Sequence, residues 1–226
     1  MKLYNTFSGE TEEFQSREAG AVKIFVCGPT VYDSAHLGHA RTYLVYDVLV
    51  RYLKFNGFVT ILIVNITDLD DKVFEKADRE GINFKDLAKR YTQEFITSLE
   101  RLKINSINAF HKASDYLNEI EYQIEYFIKK GYAYQVSGDI FFKVSSFPDY
   151  GLLSNQTPHE LILRRLNPDP KKRDQRDFLL WRSWIGKHPH FKSKFGIGRP
   201  GWHIEDTAIS ISVFKGGYDI HGGAVD

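Results

Sequence analysis

Cysteine is almost missing from the 226 residues; the single thiol is Cys27. One thiol rules out any disulfide within the chain, so the fold rests on its core, and this usage fits a reducing compartment such as the cytoplasm. Long apolar runs are missing too. None approaches the roughly 20 residues that a bilayer-spanning helix needs, and Met1-Lys-Leu-Tyr-Asn5 has no apolar signal core, so no membrane role is expected. Nor does either charge dominate. Thirty Lys and Arg stand against 29 Asp and Glu, which leaves no chain-wide electrostatic footprint for nucleic acid; any contact with RNA must come from local patches. No internal repeat or low-complexity tract interrupts the chain. What is present, 42% apolar and 26% charged residues, is the composition of a globular protein. The length suffices for a sizeable core in one large domain or in one domain carrying an insertion.

The first third alternates strand and helix. Val22 to Cys27 is a buried-strand pattern broken by Gly28 and Pro29. A helical pattern begins near Gly38, with Leu44, Val45, Val48, Leu49, Tyr52 and Leu53 at helical spacing, and Gly57 stops it. Phe58 to Val64 is short and nearly all apolar, as in a strand covered on both faces. Strand, helix and strand in that order imply a right-handed crossover and a parallel sheet. Such sheets bind ligands at the carboxyl ends of their strands, where Cys27–Gly28 and Asn65 to Asp68 fall. Further on, Phe84 to Leu102 and Tyr116 to Lys130 are amphipathic helices, and Ser137-Gly138-Asp139 turns a hairpin between Tyr132–Val136 and Ile140–Val144. The basic cluster Lys171, Lys172, Arg173 and Arg176 reads as part of a solvated loop ahead of a phosphate clamp. Asp68, Asp70, Asp71 and Lys72 read as helix capping ahead of a Mg²⁺ site, with Asp70 or Asp71 as the N-cap.

His36-Leu37-Gly38-His39 is the most informative stretch. Two histidines three apart at a helix start face the same way, where free N–H groups and the positive dipole end favour phosphate. Gly38 presents bare backbone that a flat ring can approach closely. The pattern is that of a nucleoside triphosphate site or, read as a lone short motif, of two ordinary surface histidines at a helix start; the motif by itself does not separate them.

The surrounding run, Phe25-Val-Cys-Gly-Pro-Thr-Val-Tyr-Asp-Ser-Ala-His-Leu-Gly-His-Ala-Arg-Thr42, resembles the N-terminal signature of class I aminoacyl-tRNA synthetases, specifically the cysteinyl-tRNA synthetase family. Three more blocks are similar to that family's motifs, in the same order: Asn65-Ile-Thr-Asp-Leu-Asp-Asp-Lys72, Gly198-Arg-Pro-Gly-Trp-His-Ile-Glu205 and Tyr218-Asp-Ile-His-Gly-Gly223. The resemblance implies a Rossmann-like α/β fold with a parallel sheet, split by an α+β connective insertion. Residues 1–113 would form the first half of the catalytic domain, 114–197 the insertion and 198–226 the start of the second half. It implies ATP-dependent activation of cysteine to cysteinyl-adenylate and its transfer to tRNA(Cys), with Mg²⁺ accompanying ATP. His36 and His39 would be the catalytic donors. Gly38 would underlie adenine, His221, Gly222 and Gly223 would approach ATP, and Asp226 would lie near its ribose. Cys27, Gly28, Thr67 and Trp202 would form the cysteine pocket.

By the same resemblance Cys27 is a zinc ligand, although taken alone a cysteine closing a buried strand is a small hydrophobe. The family's second cysteine ligand is replaced here by Asp206, and its H-H-x-x-E ligands, K-M-S-K-S-type loop and anticodon-recognition helices would lie beyond Asp226. Zinc is therefore expected in a full-length protein, with Cys27 and Asp206 alone holding it weakly or not at all. Two other activities share these motifs: a cysteine-activating ligase acting on a small amine, and a catalytically silent nucleotide- or RNA-binding module.

Overall fold

The computed structural model describes residues 1–155, 168–184, 186, 189–201 and 203–224. They form two compact units. One comprises Met1–Gln15, Asn118–Ile204 and Ala224–Asp226, the other Ser16–Leu117 and Glu205–Gly223.

The second unit is built on a four-stranded sheet in which every neighbour pair is parallel. In chain order its elements are β3 (Ala21–Val26), α1 (Leu37–Phe55), β4 (Val59–Ile66), α2 (Asp71–Glu80), α3 (Phe84–Arg101), β5 (Ala109–Lys112), α5 (Ile204–Phe214) and β11 (Ile220–Gly222). The spatial order is β11-β3-β4-β5. β3 and β4 are the two apolar runs expected from the sequence, with β4 running to Ile66 and Cys27 falling just past β3. Alternation of side chains divides the sheet's two faces. Phe25 and Ile63 pack with Ile209 and Phe214 of α5 on one face. On the other, Tyr43 of α1 stands edge-on to Phe95 of α3, which packs against Phe110 of β5.

The spacing finds α1 but, apart from Leu53, not its buried face. Tyr43, Asp47, Val50 and Leu53 point inward, whereas Leu44, Val45, Val48 and Tyr52 are exposed. An acid is accommodated inside because Asp47 accepts from the backbone N–H groups of Asn105 (3.1 Å) and Ser106 (3.0 Å) and from Arg51 Nε (2.6 Å). Asp70 caps α2 by accepting from Lys72 N at 2.9 Å. Asp68 accepts from the backbone N and the hydroxyl of Ser114, at 3.0 and 2.5 Å, tying the end of β4 to the turn after β5.

The first unit carries a hairpin of β1 (Lys2–Asn5) and β2 (Glu10–Glu13), then α4 (Leu117–Lys129) and a five-stranded antiparallel sheet. That sheet comprises β6 (Ala133–Val136), β7 (Asp139–Phe142), β8 (Phe178–Ser183), β9 (Phe191–Ser193) and β10 (Gly196–Pro200), in the order β6-β7-β8-β10-β9. β6 and β7 are the expected hairpin, paired from Ala133–Phe142 to Val136–Asp139. The basic cluster is largely bonded within its own unit: Lys171 reaches the buried Asp139 at 2.7 Å, Arg176 pairs with Asp174, and the Arg173 guanidinium lies 4.3 Å from the Tyr134 ring centroid. Among the described residues no helix is long and apolar enough to cross a membrane.

Candidate functional site

The carboxyl ends of β11, β3 and β4 lie side by side in the second unit. Cys27 N donates to Gly222 O at 2.7 Å, and Gly28 N donates to the Asn65 side-chain oxygen Oδ1 at 2.6 Å. Thr67 N donates to Pro29 O and Val31 N to Thr67 O, so the strand ends stay laced together past the sheet. Three of the four sequence blocks thereby meet along one edge.

Two glycines make this approach possible. A Cβ on Gly28 would sit 1.5 Å from the Asn65 carbonyl oxygen, and one on Gly222 would sit 2.4 Å from the Tyr46 hydroxyl. Both positions have a packing reason for glycine in addition to any ligand. His221, in β11, stacks on Phe25 with centroids 5.7 Å apart, and its Nδ1 lies 3.1 Å from the Tyr218 hydroxyl.

α1 begins beside this edge with a cap made of two histidines. His36 is the N-cap; its Nδ1 accepts from Gly38 N at 3.1 Å, and His39 Nδ1 accepts from His36 N at 3.1 Å. This reciprocal arrangement is a capping box, with imidazoles in place of the usual hydroxyl and carboxylate. The rings stack with centroids 3.9 Å apart. A Cβ on Gly38 would come within 2.8 Å of the His36 ring, so glycine here also makes room for the cap. Because each Nδ1 accepts, the neutral rings carry their protons on Nε2. Burial, together with the adjacent His36, lowers the His39 pKa and favours that neutral form. The spacing of 36 and 39 is the spacing of a capping box, a signal the sequence carried but that phosphate chemistry alone does not use.

Behind the edge lies a chain of buried polar groups. Cys27 Sγ donates to Asp206 Oδ2 at 3.3 Å, and Asn65 Nδ2 donates to Asp206 Oδ1 at 2.7 Å. Thr67 Oγ1 donates to Glu205 Oε1 at 3.1 Å. Asn65, Thr67, Glu205 and Asp206 are all buried. The two acids occupy the first turn of α5, where the helix dipole favours negative charge. Burial, then the charge of Asp206 and its hydrogen bond, then Glu205, push the Cys27 thiol well above its ordinary range. It is therefore the protonated donor in this pair. His203, just ahead of α5, has φ +68°, a left-handed backbone conformation uncommon outside glycine. The expected pocket residue Trp202 and the expected ribose contact Asp226 lie outside the described residues.

The description "tRNA synthetases class I (C) catalytic domain" matches residues 13–226. The chain is 44% identical over 227 residues to a Thermoplasma acidophilum protein named cysteine--tRNA ligase, covering 100% of this chain and 50% of the relative. It is 40% identical to one of the same name from Pyrococcus furiosus, covering 100% of this chain and 48% of that relative. The chain thus spans about half the length of these curated relatives. Among solved structures, Mycobacterium tuberculosis methionyl-tRNA synthetase in complex with methionyl-adenylate superposes with a TM-score of 0.60 at 14% identity, over 85% of this chain and 46% of that one; this likeness concerns the fold. With four motif blocks in order, a parallel sheet that gathers three of them, and a family match over nearly every residue, the chain belongs to the class I (C) tRNA synthetase catalytic-domain family.

Proposed function

We propose that this chain carries the amino acid activation step of a cysteine–tRNA ligase, forming cysteinyl-adenylate from cysteine and ATP, with tRNA(Cys) as the acceptor. The observation that carries the reading is the paired histidine cap beside the laced ends of β11, β3 and β4. The carboxylate of the amino acid attacks the α-phosphorus of ATP and pyrophosphate leaves, so negative charge grows on the phosphoryl oxygens. The Nε2–H groups of His36 and His39 are the donors oriented for that charge at the positive end of α1, whose own first N–H groups, from Gly38 to Ala40, are taken up by the cap. Gly38 admits the adenine ring close to the helix start, and His221, Gly222 and Gly223 border the nucleotide from the other side of β3. Cys27, Gly28 and Thr67 face the amino acid. Mg²⁺ accompanies the phosphates of ATP.

Zinc is tested by the donor pair itself. Thiolate and carboxylate ligands at about 2.3 and about 2.0 Å from zinc stand about 3.5 Å apart at the tetrahedral angle. The observed Sγ···Oδ2 separation is 3.3 Å, so Cys27 and Asp206 fit two of its positions. When bound, the metal would supply a preference for a substrate thiol over a hydroxyl.

In the natural protein that contains these residues, His36→Ala or His39→Ala is expected to slow cysteine-dependent ATP–pyrophosphate exchange about a hundredfold, the usual cost of one transition-state donor at about 3 kcal/mol. ATP affinity should change far less. Exchange at the parent rate in both variants overturns the assignment.

A further inference from the structure

The buried amide of Asn65 has a role that no ligand contact requires. Its Oδ1 accepts from Gly28 N at 2.6 Å and its Nδ2 donates to Asp206 Oδ1 at 2.7 Å, so one side chain spans the ends of β3 and β4 and the start of α5. It is fully buried and has no freedom to turn over: the Gly28 N–H demands an acceptor on one side, and the Asp206 carboxylate demands a donor on the other. Its orientation is thus set by its neighbours, and it in turn sets theirs. With Oδ1 of Asp206 engaged by the amide, Oδ2 is the oxygen turned to Cys27 Sγ, 3.3 Å away.

We propose that Asn65 is the positioning residue of the Cys27–Asp206 pair, holding Asp206 so that a single oxygen, Oδ2, faces the sulfur and the two donor atoms form a ready-made edge for a thiophilic divalent metal. The metal half of this statement rests on the zinc reading given above. Binding replaces the S–H proton: the divalent ion bonds to sulfur, and the proton leaves to solvent. Hydrogen-bond partners that orient a metal's ligands commonly account for a ten- to hundredfold difference in affinity. A carboxylate released from Asn65 could instead rotate or offer both oxygens, and the edge would be lost.

The test uses Co²⁺ as the probe, titrated into the purified chain to millimolar concentration. The near-ultraviolet thiolate-to-cobalt band reports a bond to Cys27, the chain's only thiol. The parent is expected to show the band and Cys27→Ala to lack it, and Asn65→Ala should need ten- to a hundredfold more cobalt. A crystal structure of metal-free Asn65→Ala should show Asp206 Oδ2 turned away from Cys27. Should Asn65→Ala fail to fold, Asn65→Asp keeps the volume and the acceptor for Gly28 N, and is read in the same two ways. The exchange Asn65→Asp with Asp206→Asn restores the side-chain hydrogen bond with reversed polarity. It should recover thermal stability, which assigns the stability loss to that hydrogen bond; cobalt affinity is not expected to return because Asp206 is itself one of the two donors. Equal cobalt titrations in parent and variant overturn the proposal. Absence of the band in the parent defeats the metal reading alone. The variant structure then decides the positioning role, which falls if Asp206 keeps its place beside Cys27.

Discussion

Gly28→Ala should be among the most damaging single-carbon substitutions in the parallel sheet. The added Cβ would lie 1.5 Å from the Asn65 carbonyl oxygen, 2.5 Å from its carbonyl carbon and 3.1 Å from Val64 Cγ1. Non-bonded heavy atoms settle at about 3.5–4.0 Å, so roughly 2 Å must be recovered. The nearest obstacle is backbone inside a strand, with no flexible side chain to yield. The separation must come from parting β3 from β4, which also breaks the 2.6 Å bond from Gly28 N to Asn65 Oδ1. Overpacking by one carbon costs about 1–3 kcal/mol, and the lost hydrogen bond adds about 1 kcal/mol. The total is about 4 kcal/mol at the upper end. For a chain of this size each kcal/mol moves Tm by about 2–4 °C, giving a fall of about 8–16 °C. Urea denaturation and a thermal melt of the purified chain measure both. A variant within about 0.5 kcal/mol of the parent would show that the strand ends are not locked as described. If such a variant also lost cysteine binding, the glycine would be there for the ligand.

Three further outcomes are expected. Asp70→Ala removes the N-cap of α2 and should cost about 1 kcal/mol in urea denaturation; no change would mean that the helix start is held by other contacts. Burial alone would raise the Asp47 pKa, but its hydrogen bonds with Ser106 and Arg51 lower it overall. Its contribution is therefore present above the unfolded carboxylate pKa of about 4, and is lost as pH falls through the lower folded value. Asp47→Asn should accordingly flatten the acid limb of the stability–pH curve, and a parallel curve would refute that assignment. Elemental analysis of the chain purified without added metal tests the Cys27–Asp206 edge: any zinc found should be lost in Cys27→Ala, and zinc retained at the parent level in that variant would place the metal elsewhere.

How legible each feature was in the sequence follows from the range of the force that creates it. β3 and β4 were visible because a strand buried on both faces must be apolar throughout, a local constraint. The Asp70 cap was visible for the same reason, since a carboxylate ahead of a helix acts on a backbone N–H two residues away. The buried face of α1 was not. That helix carries apolar residues on both sides, and spacing alone cannot say which side meets the sheet. Asp47 looks like a surface acid until the Asn105 and Ser106 N–H groups, 58 and 59 residues away, are found to bond to it. The candidate site divides in the same way. The paired histidines and the glycines stand in short motifs, but the Asn65–Asp206 bond spans 141 residues. No local pattern encodes a partner at that distance.

The strand order also governs how this protein must be made. β11 lies beside β3, and Asp219 accepts from the backbone of Arg17 and Lys23, contacts of 202 and 196 residues' separation. At about 5–20 residues per second, a ribosome that has finished β3 needs roughly 10–40 s more to supply the neighbour of that strand. During that wait the hydrogen-bonding edge of β3 is open to any other extended segment, the situation in which edge strands template aggregation. β6 and β7 face no such delay, since they are joined by a tight turn and can pair as soon as they emerge. The backbone N–H of Cys27 waits for Gly222, so this end of β3 stays unfixed for the whole of that interval. A sheet order that gathers distant motifs into one edge thus carries a kinetic cost in synthesis.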